Sequence, residues 1–307
     1  PRYLRMLLDV KRFQRLALAL LDAEESADEP QTYGDFLAAH DFSLHFVQHY
    51  AVPVVACVWS SGTSTALDYP ARYLFTFLRH HGFLSIKGSP QWYTVQGGSG
   101  EYVRRLVERL GDARSSSPVR SVTRTGDGVE IRTQDDQVHT FDSVIIATHA
   151  DDALTLLTDA TADERRVLGS FEYSRNETVL HTDSTQLPSA RQAKASWNFR
   201  MDACDAEGAP VVTYWMNKLQ GLHSSKDFLV TLNATDGIDA STRIATMQYT
   251  HPIYTSTSVA AQRELASLTT PVTAFAGAYH GWGFHEDGCR SGVQAAEALR
   301  AHVTVAG

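Results

Sequence analysis

The stretch that decides the fold is residues 275–296, which reads FAGAYHGWGFHEDGCRSGVQAA. The short apolar run before its first glycine, residues 272–276, predicts a buried strand. A glycine-rich loop follows, and a helix is predicted to open near Asp287. Glycines let a ligand approach the backbone, and the N–H groups at a helix N-terminus attract partial negative charge. The stretch therefore predicts either a site for a phosphate or a polarised carbonyl group, or a plain connection without a ligand.

Within this stretch, Gly281-x-Gly283-x-x-Glu286 nearly matches the G-x-G-x-x-G fingerprint of dinucleotide-binding proteins. It lacks the third glycine, and no strand is predicted after the helix to complete a βαβ unit. The complete fingerprint occurs nowhere in the 307 residues. The sequence therefore argues against a dinucleotide site that is complete in itself.

The middle of the chain predicts two kinds of sheet. Residues 119–124, 128–133 and 137–141 alternate between apolar and polar side chains and are separated by turn residues, which predicts a β-meander. Residues 143–148, Ser-Val-Ile-Ile-Ala-Thr, form a continuous apolar run, as expected of a parallel strand covered on both faces. From about residue 170 to residue 251 the chain is strand-rich and aromatic, which predicts an antiparallel sheet.

The first third of the chain is predicted to be helical. Thr32 and Asp35 have the spacing of a capping box at a helix N-terminus. Gly97 and Gly98 form a tight turn in front of a later helix, for which Ser99 is the expected cap. That helix has an apolar stripe that we expect to be buried: Tyr102, Val103, Leu106, Val107 and Leu110. The glycine pair allows two interpretations: a ligand approaches the backbone at this turn, or the turn is purely structural.

The composition excludes several classes of protein. Hydrophobic residues make up 43% and charged residues 20%, which excludes a disordered or fibrous chain. Lys and Arg number 27 against 35 Asp and Glu, and the net charge of −8 disfavours binding to nucleic acid. The longest apolar stretch, residues 51–59, is too short to span a bilayer, so any membrane contact would be peripheral. Cys57, Cys204 and Cys289 lie far apart and fit no disulfide framework or zinc site, which favours the reducing cytoplasm.

The beginning of the chain has its own interpretation. The chain starts at Pro1 rather than Met and enters a helical pattern at once. Basic residues are spread through this segment and no small-residue cleavage site follows, so it is not a signal peptide. We interpret it as an interior helix of a longer protein, and the chain as a fragment; an amphipathic targeting helix is the alternative.

Histidines and acidic residues near the end of the chain allow a second interpretation. His280, His285 and Glu286 could form a metal-binding or acid–base cluster, which would make the protein a metal-dependent hydrolase. A capping role for Asp287 and a packing or hydrogen-bonding role for His285 are the more ordinary interpretations, so no metal site is predicted. The sequence also lacks the G-x-S-x-G nucleophile elbow.

Five aromatic and polar side chains are candidates to line a substrate cavity. They are Trp59, Trp197, Tyr214, Asn217 and His251. The tryptophans fit a core position as well, and for Asn217 and His251 both interpretations stay open.

Together, these features resemble the flavin-containing amine oxidase and phytoene desaturase superfamily, and more narrowly the bacterial group of predicted NAD/FAD-binding proteins. The resemblance runs from end to end of the chain and rests on short strings that are weak one by one. They are Val58-Trp-Ser60, His81-Gly-Phe-Leu84, Pro90-Gln-Trp92, Val95-Gln-Gly-Gly-Ser99, Tyr102-Val103, Ala147-Thr-His149, His181-Thr-Asp183, Ser196-Trp-Asn198, Tyr214-Trp-Met-Asn-Lys-Leu-Gln220, His251-Pro252 and Gly283-Phe-His-Glu-Asp-Gly288.

The resemblance implies an FAD-dependent oxidoreductase that accepts hydride from a largely apolar substrate, either a small molecule or a lipid. Genes of the bacterial group often neighbour those of cyclopropane-fatty-acyl-type lipid methyltransferases, so a fatty acyl or phospholipid chain is the implied substrate. A non-catalytic lipid- or partner-binding module of the same fold is the alternative. Fold-level analogy of this kind is a hypothesis about function.

The resemblance also implies a mixed α/β fold. It consists of a glutathione-reductase-type FAD-binding domain and a substrate domain of helices with an antiparallel or mixed sheet. Residues 1–90 are expected to form the helical part of the substrate domain, 91–158 part of the FAD domain, 159–268 the substrate-domain sheet, and 269–307 the last strand and helix of the FAD domain. The family's opening βαβ unit, whose glycine loop binds the pyrophosphate, would precede Pro1, so weak retention of FAD is expected of these residues alone.

The resemblance finally implies which residues contact FAD. They are Gly97, Gly98, Val119, Ala147, Thr148, Gly277, Ala278, Gly283, Phe284, His285, Glu286, Asp287 and Gly288. Many amine oxidases have glutamate at the position of Ala278, so the contact with the ribityl chain must differ here. Lys218 is the remaining candidate for the lysine that many relatives place beside the flavin, and no catalytic base is assigned.

Overall fold

The computed structural model describes residues 2–24, 31–59, 62–85, 91–126, 128–201 and 211–305. The chain divides into two compact units, each built from two separate stretches. The first unit is Pro1–Pro90 with Tyr173–Ser256, and the second is Gln91–Glu172 with Thr257–Gly307. Both units mix helices with sheet, which confirms the mixed α/β class. Pro1 and Cys204 lie outside the described residues.

The α-helices are α1 Arg2–Asp22, α2 Tyr33–Ala39, α3 Leu44–Phe46, α4 Val52–Trp59, α5 Thr63–Asp68, α6 Ala71–His80, α7 Gly100–Val107, α8 Ala150–Leu156, α9 Ala162–Leu168, α10 Met216–Gln220, α11 Ser256–Gln262 and α12 His285–Val305. The strands are β1 Val119–Arg124, β2 Val129–Thr133, β3 Val138–Phe141, β4 Val144–Ile146, β5 Glu172–His181, β6 Trp197–Arg200, β7 Val211–Trp215, β8 Leu229–Leu232, β9 Arg243–Ile253 and β10 Thr273–Phe275. A π-helical turn, Val47–Ala51, joins α3 to α4. Among the described residues, no helix combines the length and the apolar character that crossing a membrane requires.

The helical part of the first unit forms as its local sequence predicts. Thr32 Oγ1 accepts a hydrogen bond from the Asp35 amide at 3.1 Å, and Asp35 Oδ2 accepts one from the Thr32 amide at 3.2 Å, so the capping box is confirmed. Phe13 of α1 is buried and packs edge to face against Phe36 and Phe75, with ring centroids 6.1 and 5.5 Å apart. Burial of aromatic surface of this kind is the main source of stability for such a helical layer.

The first unit also contains the predicted antiparallel sheet. Its five strands lie in the order β6-β7-β8-β5-β9. Trp197 on β6 pairs with Tyr214 on β7, and Trp215 pairs with Leu229 on β8. The aromatic side chains that the sequence placed in strands therefore do lie in one sheet.

A row of buried polar side chains crosses this sheet. Nε2 of His181 lies 2.8 Å from Oγ1 of Thr231, whose hydroxyl lies 2.9 Å from that of Thr213. The Asp183 amide donates to Nδ1 of His181 at 3.1 Å, so Nδ1 is an acceptor and Nε2 carries the proton. Burial lowers the pKa of His181 and favours this neutral form.

Two small sheets organise the second unit. The strands β1, β2 and β3 form the predicted antiparallel meander. The strands β4 and β10 pair in parallel, with Val144 opposite Thr273 and Ile146 opposite Phe275. The helix α12 then packs back onto β10 through the small and apolar residues Ala274, Ala276, Ala295 and Leu299. The predicted strand–loop–helix arrangement of residues 272–303 is thereby confirmed.

The strand β4 is less buried than its apolar run predicts. Ile146 is 4% exposed, but Val144 and Ile145 are only partly buried. In the described part of the chain the parallel sheet has two strands, so the other edge of β4 carries no strand. The prediction of a strand is confirmed, and the prediction of cover on both faces is wrong.

Most of the apolar stripe of α7 is also exposed, although it was expected to be buried; of its five residues only Tyr102 is partly buried. The exposed fractions are 49% for Val103, 58% for Leu106, 46% for Val107 and 60% for Leu110. No described element of the second unit covers this side of the helix. Amphipathic spacing predicts that a helix has an apolar face, but it does not predict which element packs against that face. The side chain of Ser99 makes no capping hydrogen bond, which corrects that expectation as well.

The unit boundaries follow the packing of two helical segments. The units change at residues 90, 172 and 256, whereas the segments expected from the sequence change at 90, 158 and 268. Helix α9 packs against α8, and the 3₁₀ turn Leu265–Leu268 packs against α9 and β10. Both segments therefore lie in the second unit.

Candidate functional site

The site is the loop between β10 and α12, and its second residue, Gly277, has no room for a side chain. A Cβ atom on Gly277 would lie 2.4 Å from Cε1 of Tyr279 and 3.2 Å from the carbonyl oxygen of Thr148. The first separation is well inside van der Waals contact and the second is tight, so any other residue would displace the Tyr279 ring or the loop. In the parallel pair, Ile146 lies opposite Phe275, so Thr148 and Gly277 leave the sheet at the same edge.

Asp287 closes the loop onto the start of α12. The residue is 4% exposed, and Oδ2 accepts hydrogen bonds from the amides of Trp282 at 3.0 Å and Phe284 at 3.1 Å. The other oxygen accepts from Nη2 of Arg290. The carboxylate also explains Gly281, whose Cβ would lie 2.2 Å from Oδ1. The predicted capping role of Asp287 is confirmed.

Two side chains that the sequence analysis did not single out hold the same loop. The hydroxyl of Ser291, which is 2% exposed, accepts from the Gly277 amide at 2.9 Å and donates to the Gly288 carbonyl at 2.8 Å. Nε2 of Gln262 on α11 donates to the carbonyl oxygens of Tyr279 at 2.9 Å and Gly281 at 2.8 Å. Ser291 lies one turn after Gly288 on α12, so its hydrogen bond to the Gly288 carbonyl could have been predicted from the helical spacing. Gln262 lies on another helix and no spacing points to it.

A hydrogen bond connects the Gly97-Gly98 turn with the first residue of α12. The Tyr102 hydroxyl, on the helix that follows the turn, is bonded to Nδ1 of His285. Gly97 and Gly98 have φ angles of +86° and +85°, which glycine adopts without strain. A Cβ on Gly98 would meet no atom within 4 Å. The turn therefore presents open backbone surface on the same unit as the loop.

The other predicted cofactor contacts lie on the edges of the two sheets. Ala147 and Thr148 follow β4 and are exposed, and the Thr148 hydroxyl donates to the His149 carbonyl at 3.0 Å. Val119 begins β1 opposite Thr133 and is 38% exposed. The strand β1 packs against α8, the helix that follows Thr148. Contact of these residues with a cofactor stays a prediction.

The five candidate cavity residues lie in the first unit, in different surroundings. Trp59 is 4% exposed, and its ring stacks on Tyr69 at 5.1 Å, which is a core position. Trp197 and Tyr214 are partly buried cross-strand neighbours with ring centroids 6.0 Å apart. Their role in a cavity stays a prediction.

The two polar candidates make structural hydrogen bonds. The amide nitrogen of Asn217 donates to the Lys226 carbonyl at 2.9 Å, while its oxygen accepts from the Phe228 amide at 2.7 Å. Asn217 therefore closes the loop before β8. Nδ1 of His251 lies 3.2 Å from Nδ2 of Asn176, which is buried. The amino group of Lys218 is exposed and donates to the Lys194 carbonyl at 2.9 Å, so it is engaged on the surface.

The geometry gives no support to the metal-dependent hydrolase. His285 is bonded to Tyr102, and burial lowers the pKa of His280 to about 4, while Nε2 of His280 is buried without a hydrogen-bond partner in the described residues. Across the described ranges, the side chains close enough to share a metal ion are His149, Asp151 and Asp152, which are exposed at the start of the short helix α8. His280, His285 and Glu286 do not form such a group.

Comparison with known proteins adds a family match. The sequence model of the flavin containing amine oxidoreductase family matches residues 4–183. Cyclohexylamine oxidase from Brevibacterium oxydans has a similar fold, with a TM-score of 0.64 and 14% identity over 98% of this chain and 75% of that chain. The CLA-producing fatty acid isomerase from P. acnes gives a TM-score of 0.63 and 14% identity over 94% of this chain and 73% of that chain. Wild-type putrescine oxidase bound to putrescine gives 0.60 and 12% over 99% and 75%. Curated proteins give no match.

Proposed function

Since the chain belongs to the flavin-containing amine oxidoreductase family and is an FAD-dependent oxidoreductase by that membership, we propose that residues 275–296 hold the flavin and that the substrate is largely apolar. The family match over residues 4–183 is the observation that carries the enzyme class. The geometry of the loop between β10 and α12 supports the position of the cofactor. The metal-dependent hydrolase is not proposed, because its three side chains do not converge.

The described residues fit a flavin. Helix α12 is 21 residues long, and the amides of its first turn have no partners within the helix, so this end attracts negative charge and carbonyl oxygens. A Cβ on Gly288 would come no closer than 3.8 Å to any atom, the nearest being the Ala278 nitrogen, and a Cβ on Gly98 would meet nothing within 4 Å. These two positions leave backbone surface that a flat ring or a phosphate can approach.

We assign the cofactor contacts to three groups of residues. The loop and the start of α12 contribute Gly277, Ala278 and residues 283–288; the glycine turn contributes Gly97 and Gly98; the sheet edges contribute Val119, Ala147 and Thr148. When bound, FAD supplies the acceptor for hydride. The chain's own task is to hold the loop rigid, which Asp287, Ser291 and Gln262 do through their hydrogen bonds, and to favour negative charge at the end of α12.

We assign the two units different tasks. The second unit contains the loop and both glycine positions, so it takes the FAD-binding role. The first unit contains the aromatic sheet, so it takes the substrate role. The substrate class we propose is a fatty acyl or other lipid chain, supported by the similarity of fold to a fatty acid isomerase. The reducing cytoplasm remains the proposed compartment, on the grounds of the cysteine pattern.

The experiment is a visible spectrum of the protein at its full natural length, followed by anaerobic addition of substrates. We expect oxidised flavin bands that a fatty acyl substrate bleaches and that aliphatic diamines leave unchanged. Bleaching by amines but not by acyl substrates would overturn the substrate class and keep the enzyme class. A colourless protein that takes up no FAD would overturn the flavin assignment.

A further inference from the structure

One face of α1 carries apolar side chains on the outside of the molecule. Leu4 is 65% exposed, Leu8 is 69% exposed and Leu7 is 43% exposed, with Tyr3 beside them at 63%. Each of these side chains is large enough to contribute strongly to a core. A group of this size on a helix surface marks a contact with something outside the unit.

Helical spacing separates this face from the core. Residues 4, 7 and 8 follow each other at i, i+3 and i+4 and so share one side of the helix. The buried residues of α1 are Asp9, Phe13 and Ala17, which follow each other at i+4 steps on the opposite side. The leucines therefore point away from the aromatic core, and packing within the first unit does not explain them.

The exposed leucines have only basic neighbours on the solvent side of α1. Over its first four turns the exposed charged residues are Arg2, Arg5, Lys11 and Arg15, of which Lys11 and Arg15 share the side of the leucines. Asp9 is buried, with its carboxylate 3.5 Å from Arg12, and Asp22 stands at the far end of the helix. In a chain with a net charge of −8, the charged side chains beside this apolar patch on α1 are thus the two cations Lys11 and Arg15.

We propose that this face of α1 is a docking surface for an anionic lipid bilayer, with the helix lying in the plane of the membrane. A helix with leucines on one face and Lys or Arg beside them enters the boundary between headgroups and acyl chains, and anionic headgroups attract its positive charge. A second copy of the chain would bring the same positive charges to a symmetric contact, where they repel. The inference goes beyond the proposed oxidoreductase activity and does not depend on it.

The test is flotation with vesicles of phosphatidylcholine alone and with vesicles that also contain phosphatidylglycerol. We expect the protein to float with the anionic vesicles, to stay unbound with the neutral ones, and to be released in part by high salt. The variant Leu4→Asp/Leu8→Asp should lose flotation. The matched control is Leu44→Asp on α3 of the same unit, since Leu44 is 68% exposed and Leu8 is 69% exposed; it should float like the wild type.

Charge reversal tests the attraction of α1 to anionic headgroups, and insertion depth tests the burial of its leucines among the acyl chains. Lys11→Glu/Arg15→Glu should lower binding and flatten its dependence on salt, whereas reversal of the exposed Arg191 should not. Brominated acyl chains should quench the additional fluorescence of Leu8→Trp but not that of Leu44→Trp. Circular dichroism of each variant shows that the fold is kept, and the charge variants decide the matter if the leucine variant unfolds.

Three results would overturn the proposal. The first is a wild-type protein that binds neither kind of vesicle. The second is an equal loss of binding in the Leu44→Asp control. The third is self-association without lipid that Leu4→Asp/Leu8→Asp abolishes, because this would assign the face to a second copy of the chain.

Discussion

The hydroxyl of Ser291 accepts a hydrogen bond from the amide of Gly277 at 2.9 Å, and this bond ties the start of the loop to the second turn of α12. The same hydroxyl donates to the Gly288 carbonyl at 2.8 Å. One buried side chain therefore fixes the separation between the end of β10 and the start of α12. If the flavin binds there, the loop is already shaped before the ligand arrives, which lowers the entropic cost of binding.

Removal of this hydroxyl should destabilise the protein. Ser291→Ala leaves the partly buried amide of Gly277 without its acceptor, so the free energy of unfolding should fall by about 1–3 kcal/mol. Urea denaturation followed by circular dichroism measures this. The matched control is Ser267→Ala, because the Ser267 hydroxyl also bonds to a nearby helical carbonyl, that of Glu264, but is exposed. A loss of equal size in both variants would show that the Gly277 contact is unimportant.

Two glycine substitutions in the same segment should have opposite effects. In Gly281→Ala the new Cβ would lie 2.2 Å from Oδ1 of Asp287. The Asp287 carboxylate must then move away from its hydrogen-bond partners, which should lower the free energy of unfolding by about 1–3 kcal/mol. In Gly292→Ala the new Cβ meets nothing within 4 Å inside α12, and the variant should gain about 0.5–1 kcal/mol. Thermal denaturation of both variants checks the prediction. Stabilisation by Gly281→Ala would mean that the Asp287 contact is not formed.

Stability should decrease in acid through buried histidines. Burial lowers the pKa of His280 from 6.5 to about 4 and also lowers the pKa of His181, so the unfolded chain binds protons that the folded chain does not. These histidines do not change the free energy of unfolding above about pH 6.5. His280 lowers it between about pH 6.5 and about pH 4, by at most about 1.4 kcal/mol per pH unit, and His181 lowers it further below about pH 6.5.

Replacement of one of these histidines should flatten this dependence. We expect His280→Gln to lose less stability than the wild type when urea denaturation is compared at about pH 7 and about pH 5. The same substitution at the exposed His223 should leave the wild-type difference unchanged. If His280→Gln keeps the full pH dependence, the burial of this imidazole does not control the acid sensitivity.

The contact between α7 and α12 should matter for cofactor binding more than for stability. Tyr102→Phe removes the hydroxyl that bonds to Nδ1 of His285. Because His285 is exposed, the free energy of unfolding should change by less than about 0.5 kcal/mol. FAD affinity should fall about two- to tenfold, the equivalent of one ordinary hydrogen bond. Quenching of FAD fluorescence measures the affinity. Tyr93→Phe, at a position that is 89% exposed, is the control and should bind FAD normally.

Local sequence signals predicted most of the secondary structure. The capping box of Thr32 and Asp35 and the β-meander depend on side chains and turns that are near each other in the chain. The apolar run of residues 143–148 predicted a strand in the same way, but its partner, β10, comes from the far end of the chain. The exposed stripe of α7 marks the limit of such signals. Its spacing correctly predicts an apolar face, but burial depends on a neighbouring element that the spacing does not identify.

The sequence by itself determined the family and the strand–loop–helix of residues 275–296, because these follow from short strings and local periodicity. Only the tertiary structure decided how that loop is held. Gln262 reaches it from a separate helix, and Tyr102 meets His285 across 183 residues of sequence. Trp59 likewise became a core residue through packing that includes Tyr254, almost two hundred residues later in the chain. Hydrogen bonds and contacts between residues far apart in sequence exist only once the chain has folded, so no local pattern records them.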